Sequence, residues 1–380
     1  MSVVNLDHLT GIDPEEPAFR GPLLANASAR RAIAALVDEH SARDWDRFIA
    51  GFDDVSYDQT AAFSDRRWGK DRISQMILVQ GDDMVAGARV AILTQPGFSQ
   101  GLAYLRGGPF WRRHGVDPDP RLYRAAIEAI RAEYCVRRGH HLVVTPRFHP
   151  EFSPLEAGML QAEGFRTRRA SPDPHRYFVN LGIDRERQME SLDQGWRRNL
   201  RKAFAHDLEI TLGDSEADME RFIGLNASLK RRKRFHDQGH ALLLPELARA
   251  LPPTLRPQIA LAYHRGQPVA GAAVVLAGDI AQYLFGGSDE AMLKLNAGYA
   301  LQWWLIERLS GLGCQWYDLG GESLSEGLRQ FKRGLVGREG RIVEANVDYE
   351  HSGSATGRMV AEMMFGVRAA KRFYMKLLNA

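Results

Sequence analysis

Two short stretches of this sequence occur twice, in the same order and about half a chain apart. VAGARVAI at 85–92 resembles VAGAAVVL at 269–276, and YLRGG at 104–108 resembles YLFGG at 283–287. The offsets are 184 and 179 residues (269 − 85 and 283 − 104). Such runs are common in buried strands, but two matches in one order at nearly one offset are typical of an internal duplication. The 380 residues suffice for two domains of about 150–200 residues each.

Both halves show the same predicted order of elements: an antiparallel strand meander, a helix, a strand and a second helix. In the first half the predicted strands are 74–80, 85–93, 102–107 and 141–145, and the helices are 120–138 and 155–163. In the second half the strands are 258–263, 269–276, 281–285 and 315–319, and the helices are 297–312 and 325–333. Further helices are predicted over 194–206, 216–229 and 356–378. This order outlines an N-acetyltransferase-type acyltransferase fold present twice, one candidate among several α/β folds with a mixed sheet.

The duplication also predicts the domain organisation. Residues 1–170 form a first domain of this type, and 171–355 form a second one that carries the candidate site. The turn-forming run Ser171-Pro172-Asp173-Pro174 is the predicted linker. The remaining segment, 356–380, is expected to be a helix that packs back on the body.

Composition excludes several classes of protein. Lys and Arg number 50 against 47 Asp and Glu, a net charge of +3, which argues against a protein coated by a polyanion. Two cysteines exclude a disulfide scaffold and a four-cysteine zinc site. Nucleotide-binding glycine loops, an HExxH motif and a GxSxG elbow are absent from the sequence. The first 17 residues lack the basic and apolar regions of a secretory signal, so a cytoplasmic location is expected.

The predicted helix 194–206 carries an unusual charge pattern. Arg197 and Arg201 form one like-charged pair at i, i+4, and Arg198 and Lys202 form another. Each such pair costs roughly 0.2–0.5 kcal/mol in an isolated helix. An anionic ligand across this face is therefore one interpretation, and a solvated face neutralised by acids of 184–190 is the other. The run 230–234 (KRRKR) leaves the same choice between a polyanion patch and a solvated surface.

A glycine turn between a strand and a helix is the third candidate feature. It reads YDLGGE at 317–322 and is followed by GLRQFKRG at 327–334. Lys332 lies in the last helical turn. The helix dipole favours a cation at this position in any case. The other role open to Lys332 is stabilisation of an oxyanion. Asp318 and Glu322 are the nearest acids that could accept a proton, and orienting the turn is the other role open to Asp318. Tyr283 of the repeated segment and Arg333 are candidate substrate-binding residues.

These stretches resemble the FemABX transferases and the related FemAB-like (BioF2-like) acetyltransferase domain. The resemblance rests on WRRNLRKAF at 196–204, YDLGGE and FKRG, and it is clearest over 196–341. It implies two tandem N-acetyltransferase-like (GNAT-like) domains and transfer of an amino acid from aminoacyl-tRNA to an amine of a peptidoglycan precursor. It also implies a role for Lys332 in handling the activated acyl donor, and for Arg198 or Arg201 in holding a diphosphate of the acceptor.

One departure bears on the donor. Members that use acyl-CoA carry a glycine-rich loop, R/Q-x-x-G-x-G/A, before the long helix, whereas 291–300 here reads AMLKLNAGYA. Aminoacyl-tRNA is therefore the favoured donor and an acyl-CoA the alternative, either one as a co-substrate with no resident cofactor. The expected acceptor carries an amine, with or without a diphosphate, as in a peptide or cell-wall precursor. A polysaccharide or natural-product pathway suits the acyl-CoA alternative. A catalytically silent GNAT-like binding module is the hypothesis from another class.

Overall fold

Two seven-stranded mixed sheets form the framework of the protein. The computed structural model describes residues 32–169, 175–233, 240–321, 325–345 and 347–378. The strands are β1 Ile33–Val37, β2 Ile73–Gln80, β3 Asp83–Leu93, β4 Leu102–Arg106, β5 His141–Thr145, β6 Arg166–Arg169, β7 His175–Asn180, β8 Glu209–Gly213, β9 Gln258–His264, β10 Gln267–Ala277, β11 Ile280–Ser288, β12 Trp316–Gly321, β13 Arg341–Glu344 and β14 Val347–Ser352. The first sheet has the order β1-β2-β3-β4-β5-β14-β6, and the second has β13-β7-β12-β11-β10-β9-β8.

Helices cover these sheets. They are α1 Ala42–Ile49, α2 Ala61–Trp68, α3 Pro120–Arg131, α4 Ser153–Ala162, α5 Arg185–Ser191, α6 Gln194–Phe204, α7 Glu216–Lys233, α8 Leu244–Ala250, α9 Ala297–Gly311, α10 Glu326–Val336 and α11 Ala355–Leu378. Helix α3 shows why these residues form a helix: Asp119 caps it, Pro120 occupies its first turn, and its buried face carries Ala126, Ile127 and Ile130. The predicted helix 120–138 instead ends at Arg131 and continues as one π-helical turn, Ala132–Arg137.

The predicted duplication is present in the fold. The two VAGA segments lie on β3 and β10, and the two Tyr-Leu-x-Gly-Gly segments begin on β4 and β11. Each long strand pairs antiparallel with the strand that precedes it and the one that follows it. A parallel pair then follows in both sheets, β4 with β5 and β11 with β12. The α/β class with tandem GNAT-like domains is therefore confirmed.

One strand crosses back from the second domain to the first, which corrects the predicted boundary at residue 355. Strand β7 lies within the predicted second domain, and it pairs with β12 and β13 of the second sheet. Strand β14 lies inside the predicted second domain, 171–355, yet it pairs with β5 and β6 of the first sheet. The second domain thus ends near residue 345, and the chain returns to complete the first. Helix α11 packs on β4, β5 and β14, and the predicted linker 171–174 lies outside the described residues.

A shared core and an ionic cluster join the two domains along a seam. Trp45, Phe52 and Phe110 of the first domain pack with Leu247 and Val275 of the second. Within the β10–β11 turn, Asp279 reaches three basic side chains of the first domain. Its carboxylate lies 2.7 Å from Arg112 Nη1, 3.7 Å from Arg147 Nη1 and 3.2 Å from His149 Nε2. The seam therefore fixes how the two domains are placed against each other.

Candidate functional site

The parallel pair of the second domain opens part-way along its length. Strand β11 pairs with β10 as far as Ser288, but it pairs with β12 only over Ile280, Ala281 and Gln282. Beyond Gln282 the free edge of β11 borders a cavity of about 630 Å³. The cavity is also bordered by α7, the segment before α9, the start of α9 and the start of α10; its lining residues include Asn226, Leu229, Tyr283, Ser288, Asp289, Met292, Leu293, Asn296, Tyr299, Ser325, Leu328 and Phe331. We term it the donor cavity.

Glycines allow α7 and β11 to approach each other beside this cavity. A Cβ at Gly287 would lie 2.8 Å from the backbone nitrogen of Asn226, and one at Gly286 would lie 1.9 Å from the Tyr283 hydroxyl. Asn226 is 6% exposed, and its Nδ2 donates to Gly286 O at 2.7 Å. That contact uses one of the two side-chain N–H groups, and Asn226 Oδ1, which has no partner among the described residues, can accept a hydrogen bond from a ligand.

Tyr283 supplies a hydroxyl to the donor cavity. Burial raises the pKa of this phenol to about 12, so it stays protonated at neutral pH. Its hydroxyl forms no hydrogen bond with a described residue, and it lines the cavity as a free donor. A protonated phenol beside an open strand edge can donate to an oxygen that gains negative charge during acyl transfer. Tyr283 therefore lines the donor cavity, and its role in substrate binding stays a prediction.

Apolar side chains form most of the remaining wall. Trp196 of α6 packs on Tyr299 and Phe331, with ring centroids 4.9 and 5.7 Å apart, and the last two rings line the cavity. At the mouth, Leu293 and Leu328 are 49% and 37% exposed. Exposed leucines at the rim of a concave site mark a surface suited to an apolar ligand.

Asp318 and Lys332 meet at the glycine turn and lie outside the cavity lining. Asp318 is 4% exposed; it accepts from Gly320 N at 2.8 Å and pairs with Arg176 at 2.6 Å. Lys332 is 8% exposed, and its Nζ donates to Gly321 O at 2.7 Å. Both side chains therefore hold the turn between β12 and α10. The third predicted catalytic residue, Glu322, lies outside the described residues.

The predicted cationic residues lie on the surface. Arg198 and Arg201 are exposed on the outer face of α6, form no ion pair with a described residue, and line neither large cavity. Arg333 is exposed on α10. Arg197 folds back along its helix, with Nη1 donating to Glu190 O at 3.3 Å. The expected role of Arg198 or Arg201 toward an acceptor diphosphate stays a prediction, and the predicted basic run 230–234 extends beyond the described residues.

A second cavity, of about 730 Å³, lies on the first domain beside the seam. We term it the seam cavity. Helix α2, strands β3 and β4 and helix α11 line it, together with Leu242 and Leu243 of the second domain; the lining residues include Phe63, Arg66, Arg67, Trp68, Tyr104, Phe365 and Arg368. Arg67 is half-buried, and its guanidinium lies 5.1 Å from the Trp68 ring. Burial, with the charges of Arg106 and Arg368, lowers the pKa of Arg67.

The arginines in and beside the seam cavity were not predicted from the sequence. Arg67 lies on α2, Arg106 ends β4 and Arg368 lies on α11, so no short segment holds them together. Arg106 is paired with Asp58 at 3.0 Å, whereas Arg67 and Arg368 form no ion pair with a described residue. Asn226 and Asp289 of the donor cavity were missed for the same reason, because each comes from a different element.

One cluster has the ligand types of a metal site but is already neutralised. His141, Glu350 and Glu362 bring their ligand atoms within 4.8 Å of one another. Arg168 Nη1 lies 3.2 Å from Glu350 and 2.6 Å from Glu362, so a guanidinium occupies the space between the two carboxylates. This cluster ties β5, β6, β14 and α11 together in the first domain.

The open strand pair and its cavity lie within a GNAT acyltransferase domain. Residues 191–333 match the family model of the acetyltransferase (GNAT) domain. This match covers α6 to α10, and with the fold it confirms the predicted class of enzyme, a GNAT-type acyltransferase. No curated protein matches the sequence significantly.

The fold of this chain is similar to that of FemX. The crystal structure of FemX has a TM-score of 0.66 and 12% identity, covering 83% of this chain and 97% of FemX. The C-terminal domain of a putative lysylphosphatidylglycerol synthetase from Agrobacterium fabrum has a TM-score of 0.51 and 13% identity, covering 85% and 96% of the two chains. The predicted resemblance to the FemABX fold is thereby confirmed.

None of the helices in the described part of the chain has the length and apolar character of a membrane span.

Proposed function

We propose that this protein transfers an aminoacyl group from aminoacyl-tRNA to an amine of a peptide or cell-wall-precursor-like acceptor, as the resemblance to FemABX transferases implies. The observation that carries the proposal is the open edge of β11 with the free Tyr283 hydroxyl beside it, inside the GNAT domain. An aminoacyl ester is already activated, so the protein needs only to orient it and to stabilise developing charge.

The proposed reaction uses Tyr283 as the oxyanion donor. The neutral amine of the acceptor attacks the ester carbonyl carbon, a C–N bond forms, and the carbonyl oxygen becomes an alkoxide that accepts a hydrogen bond from the phenol. When the tetrahedral adduct collapses, the C–O bond to the tRNA ribose breaks and the electron pair leaves with the ribose oxygen. The proton released by the amine ends on that oxygen. Because its pKa is raised by burial, the phenol keeps its proton at neutral pH.

Lys332 and Asp318 take positioning roles in this proposal. Lys332 holds the Gly321 carbonyl and Asp318 holds the Gly320 amide, so together they fix the turn that leads into α10. Helix α10 supplies Leu328 and Phe331 to the wall of the donor cavity. Glu322 remains the candidate proton acceptor that follows this turn in sequence.

The seam cavity suits the anionic part of an acceptor. Arg67 and Arg368 line it without an ion-pair partner among the described residues, and the charge of Arg106, which is paired with Asp58, helps to lower the pKa of Arg67. Guanidinium groups bind phosphate in a bidentate manner, and burial strengthens that contact. Leu242 and Leu243 of the second domain also line this cavity, so a ligand bound there would contact both domains. Its aromatic wall would pack on the apolar part of such an acceptor.

The outer face of α6 suits the phosphate backbone of the tRNA. The helix packs behind the wall of the donor cavity, with Trp196 against Tyr299 and Phe331, and it exposes Arg198, Arg201 and Lys202 on its other side. Exposed cations at the edge of a site attract a polyanion without binding one small group tightly. Arg333 on α10 would extend the same basic surface.

An acyl-CoA donor is the second candidate function, favoured by the GNAT domain itself. One experiment separates the two: radiolabelled aminoacyl-tRNA and radiolabelled acetyl-CoA are each incubated with the full chain and a lysate of amine acceptors. Label transferred from aminoacyl-tRNA supports the proposal. Transfer from acetyl-CoA alone overturns it in favour of the second candidate. Retention of charged tRNA without transfer from either donor identifies a silent binding module.

A further inference from the structure

The donor cavity is apolar on most sides and carries a fixed carboxylate at the end of β11. Its apolar side chains come from several helices and strands and include Leu229, Met292, Leu293, Tyr299, Leu328 and Phe331. Among the described lining residues the charged side chain is Asp289. A ligand that fills this cavity therefore needs an apolar body and a group that can face an anion.

Backbone contacts hold the Asp289 carboxylate in place. Asp289 N donates to Val269 O at 2.9 Å, and its Oδ1 accepts from Ala291 N at 2.8 Å. Oδ2 has no partner among the described residues, so it can accept from a ligand. Asn226 Oδ1 has no partner among the described residues and is a second acceptor from a lining side chain, while one Nδ2–H donates to Gly286 O. Two acceptors, one of them charged, match a primary ammonium, which offers three donors.

We infer that the donor carries a hydrophobic amino acid, such as leucine, and that Asp289 with Asn226 binds its α-ammonium group. This inference rests on the proposed function and specifies its substrate class. The side chain enters the apolar wall, the ammonium faces Asp289, and the carbonyl lies toward Tyr283. An acyl thioester that lacks an α-amine would leave the carboxylate facing an apolar group, which costs binding energy.

The apolar contacts and the ammonium contact contribute different amounts to the selectivity among ligands. A hydrophobic pocket distinguishes ligands that differ by one methylene by roughly 10- to 200-fold. A hydrogen bond to a charged group accounts for about 10-fold or more in affinity. The two contributions can therefore be measured separately with ligands that change one group at a time.

The test measures binding of three stable amide probes to the full chain by calorimetry at fixed salt. The probes are 3′-leucylamido-3′-deoxyadenosine, its seryl counterpart and its N-acetyl-leucyl counterpart. The wild-type protein is expected to bind the leucyl probe at least 10-fold more tightly than either of the others. In Asp289→Asn the advantage over the N-acetyl probe should disappear, while the advantage over the seryl probe remains.

Two further variants keep the test specific. Glu290→Gln removes a neighbouring exposed charge outside the cavity lining and should keep both preferences. Leu293→Asn changes a side chain that is 49% exposed, so it should fold, and it should reduce the leucyl-to-seryl ratio. Equal binding of all three probes overturns the inference and leaves an aminoacyl donor standing. Failure of every aminoacyl probe, with acetyl-CoA binding and turning over, overturns the proposed function and the inference with it.

Discussion

The two domains share a strand order, but their central parallel pairs differ. In the first domain, β4 pairs with β5 through five residues, from Leu102 opposite His141 to Arg106 opposite Thr145. In the second domain, β11 pairs with β12 through three residues and then diverges. Tyr104 and Tyr283 occupy corresponding places in the repeated segment. Tyr104 lies opposite Val143 with its hydroxyl 3.1 Å from Thr145 Oγ1, whereas Tyr283 has neither a β12 partner nor a hydrogen bond with a described residue.

The two copies also differ in the residues after the shared tyrosine. Strand β4 ends at Arg106, and the chain continues Gly107-Gly108-Pro109, where proline cannot donate to a strand ladder. Strand β11 continues through Gly286, Gly287 and Ser288 while still paired with β10. A duplicated fold has thus kept one closed copy and one open copy. The open copy can hold an acyl group, and the closed copy supplies the seam cavity and the docking surface for the second domain.

Removing the free phenol should have the largest effect. Tyr283→Phe keeps the ring but deletes the proposed oxyanion donor, and loss of one such donor lowers kcat by roughly 10²- to 10³-fold. Steady-state transfer from aminoacyl-tRNA measures this effect. Tyr263→Phe on β9 is the matched control, since its side chain lines neither cavity and its activity should stay within about twofold of wild type. Equal activity of Tyr283→Phe and wild type would contradict the assignment of the catalytic site to Tyr283 in the second domain.

Breaking the seam should lower stability next most strongly. Burial raises the pKa of Asp279, but the contacts with His149, Arg147 and Arg112 lower it more. The pKa of this carboxyl therefore lies below its ordinary value. Asp279→Asn leaves those buried basic groups without their carboxylate, so the free energy of unfolding should fall by about 3 kcal/mol. Urea denaturation at pH 7 measures it. Because the pKa is depressed, the wild-type advantage is present above about pH 4 and is lost as the pH falls further.

An exposed pair provides the control for the seam. Asp83 and Arg113 are 67% and 49% exposed, so Asp83→Asn should change the free energy of unfolding by no more than about 0.5 kcal/mol. If Asp279→Asn is as mild as Asp83→Asn, the cluster does not couple the two domains.

A buried carboxyl should give the closed domain a distinct pH dependence. Burial raises the pKa of Glu156 to about 8, and the carboxyl accepts from Trp111 Nε1 at 2.9 Å. The folded protein then keeps a proton that the unfolded chain releases above about pH 4.3. Relative to Glu156→Gln, wild-type stability should fall by up to about 3 kcal/mol as the pH rises from 5 to 8. Parallel stability curves for the two proteins would mean that Glu156 is ionised in the fold.

The seam cavity should bind phosphate through Arg67. Arg67→Ala should weaken binding of inorganic pyrophosphate about 10-fold at fixed salt, the effect of losing a hydrogen bond to a charged group. Calorimetry of the full chain measures it, with exposed Arg72→Ala as the control. If Arg201→Ala weakens pyrophosphate binding and Arg67→Ala does not, α6 holds the acceptor, as the resemblance implies.

The smallest effect is expected on the outer face of α6. Combining Arg198→Ala with Arg201→Ala should raise the KM for aminoacyl-tRNA a few-fold. The slope of log K against log salt should fall by about one for each phosphate group that the variant no longer neutralises. Small aminoacyl probes should bind as before, because neither arginine lines the donor cavity. A salt slope equal to that of wild type would mean that tRNA does not touch this helix.

Local patterns predicted most central elements but not the pairing between the domains. The predicted strand 141–145 coincides with β5, and α9, predicted to end at 312, ends at Gly311. Strand β14 was missed, because the half-polar segment VDYEHS becomes a strand only when the first domain offers an edge. Among the residues of the donor cavity, Tyr283 was a candidate from the sequence. Asn226, Asp289 and Arg67 could not be found, because side chains from distant segments converge only in the folded chain.

Hydrogen exchange tests the central claim most directly, since it compares the two copies within one molecule. Amide exchange of the full chain is followed by mass spectrometry with and without 3′-leucylamido-3′-deoxyadenosine. Ligand in the donor cavity should slow exchange in the peptides that contain 283–289, where β11 lacks a second partner, and leave those of 102–106 unchanged. Protection confined to 102–106 and the rest of the first domain would contradict the assignment of acyl transfer to the open copy.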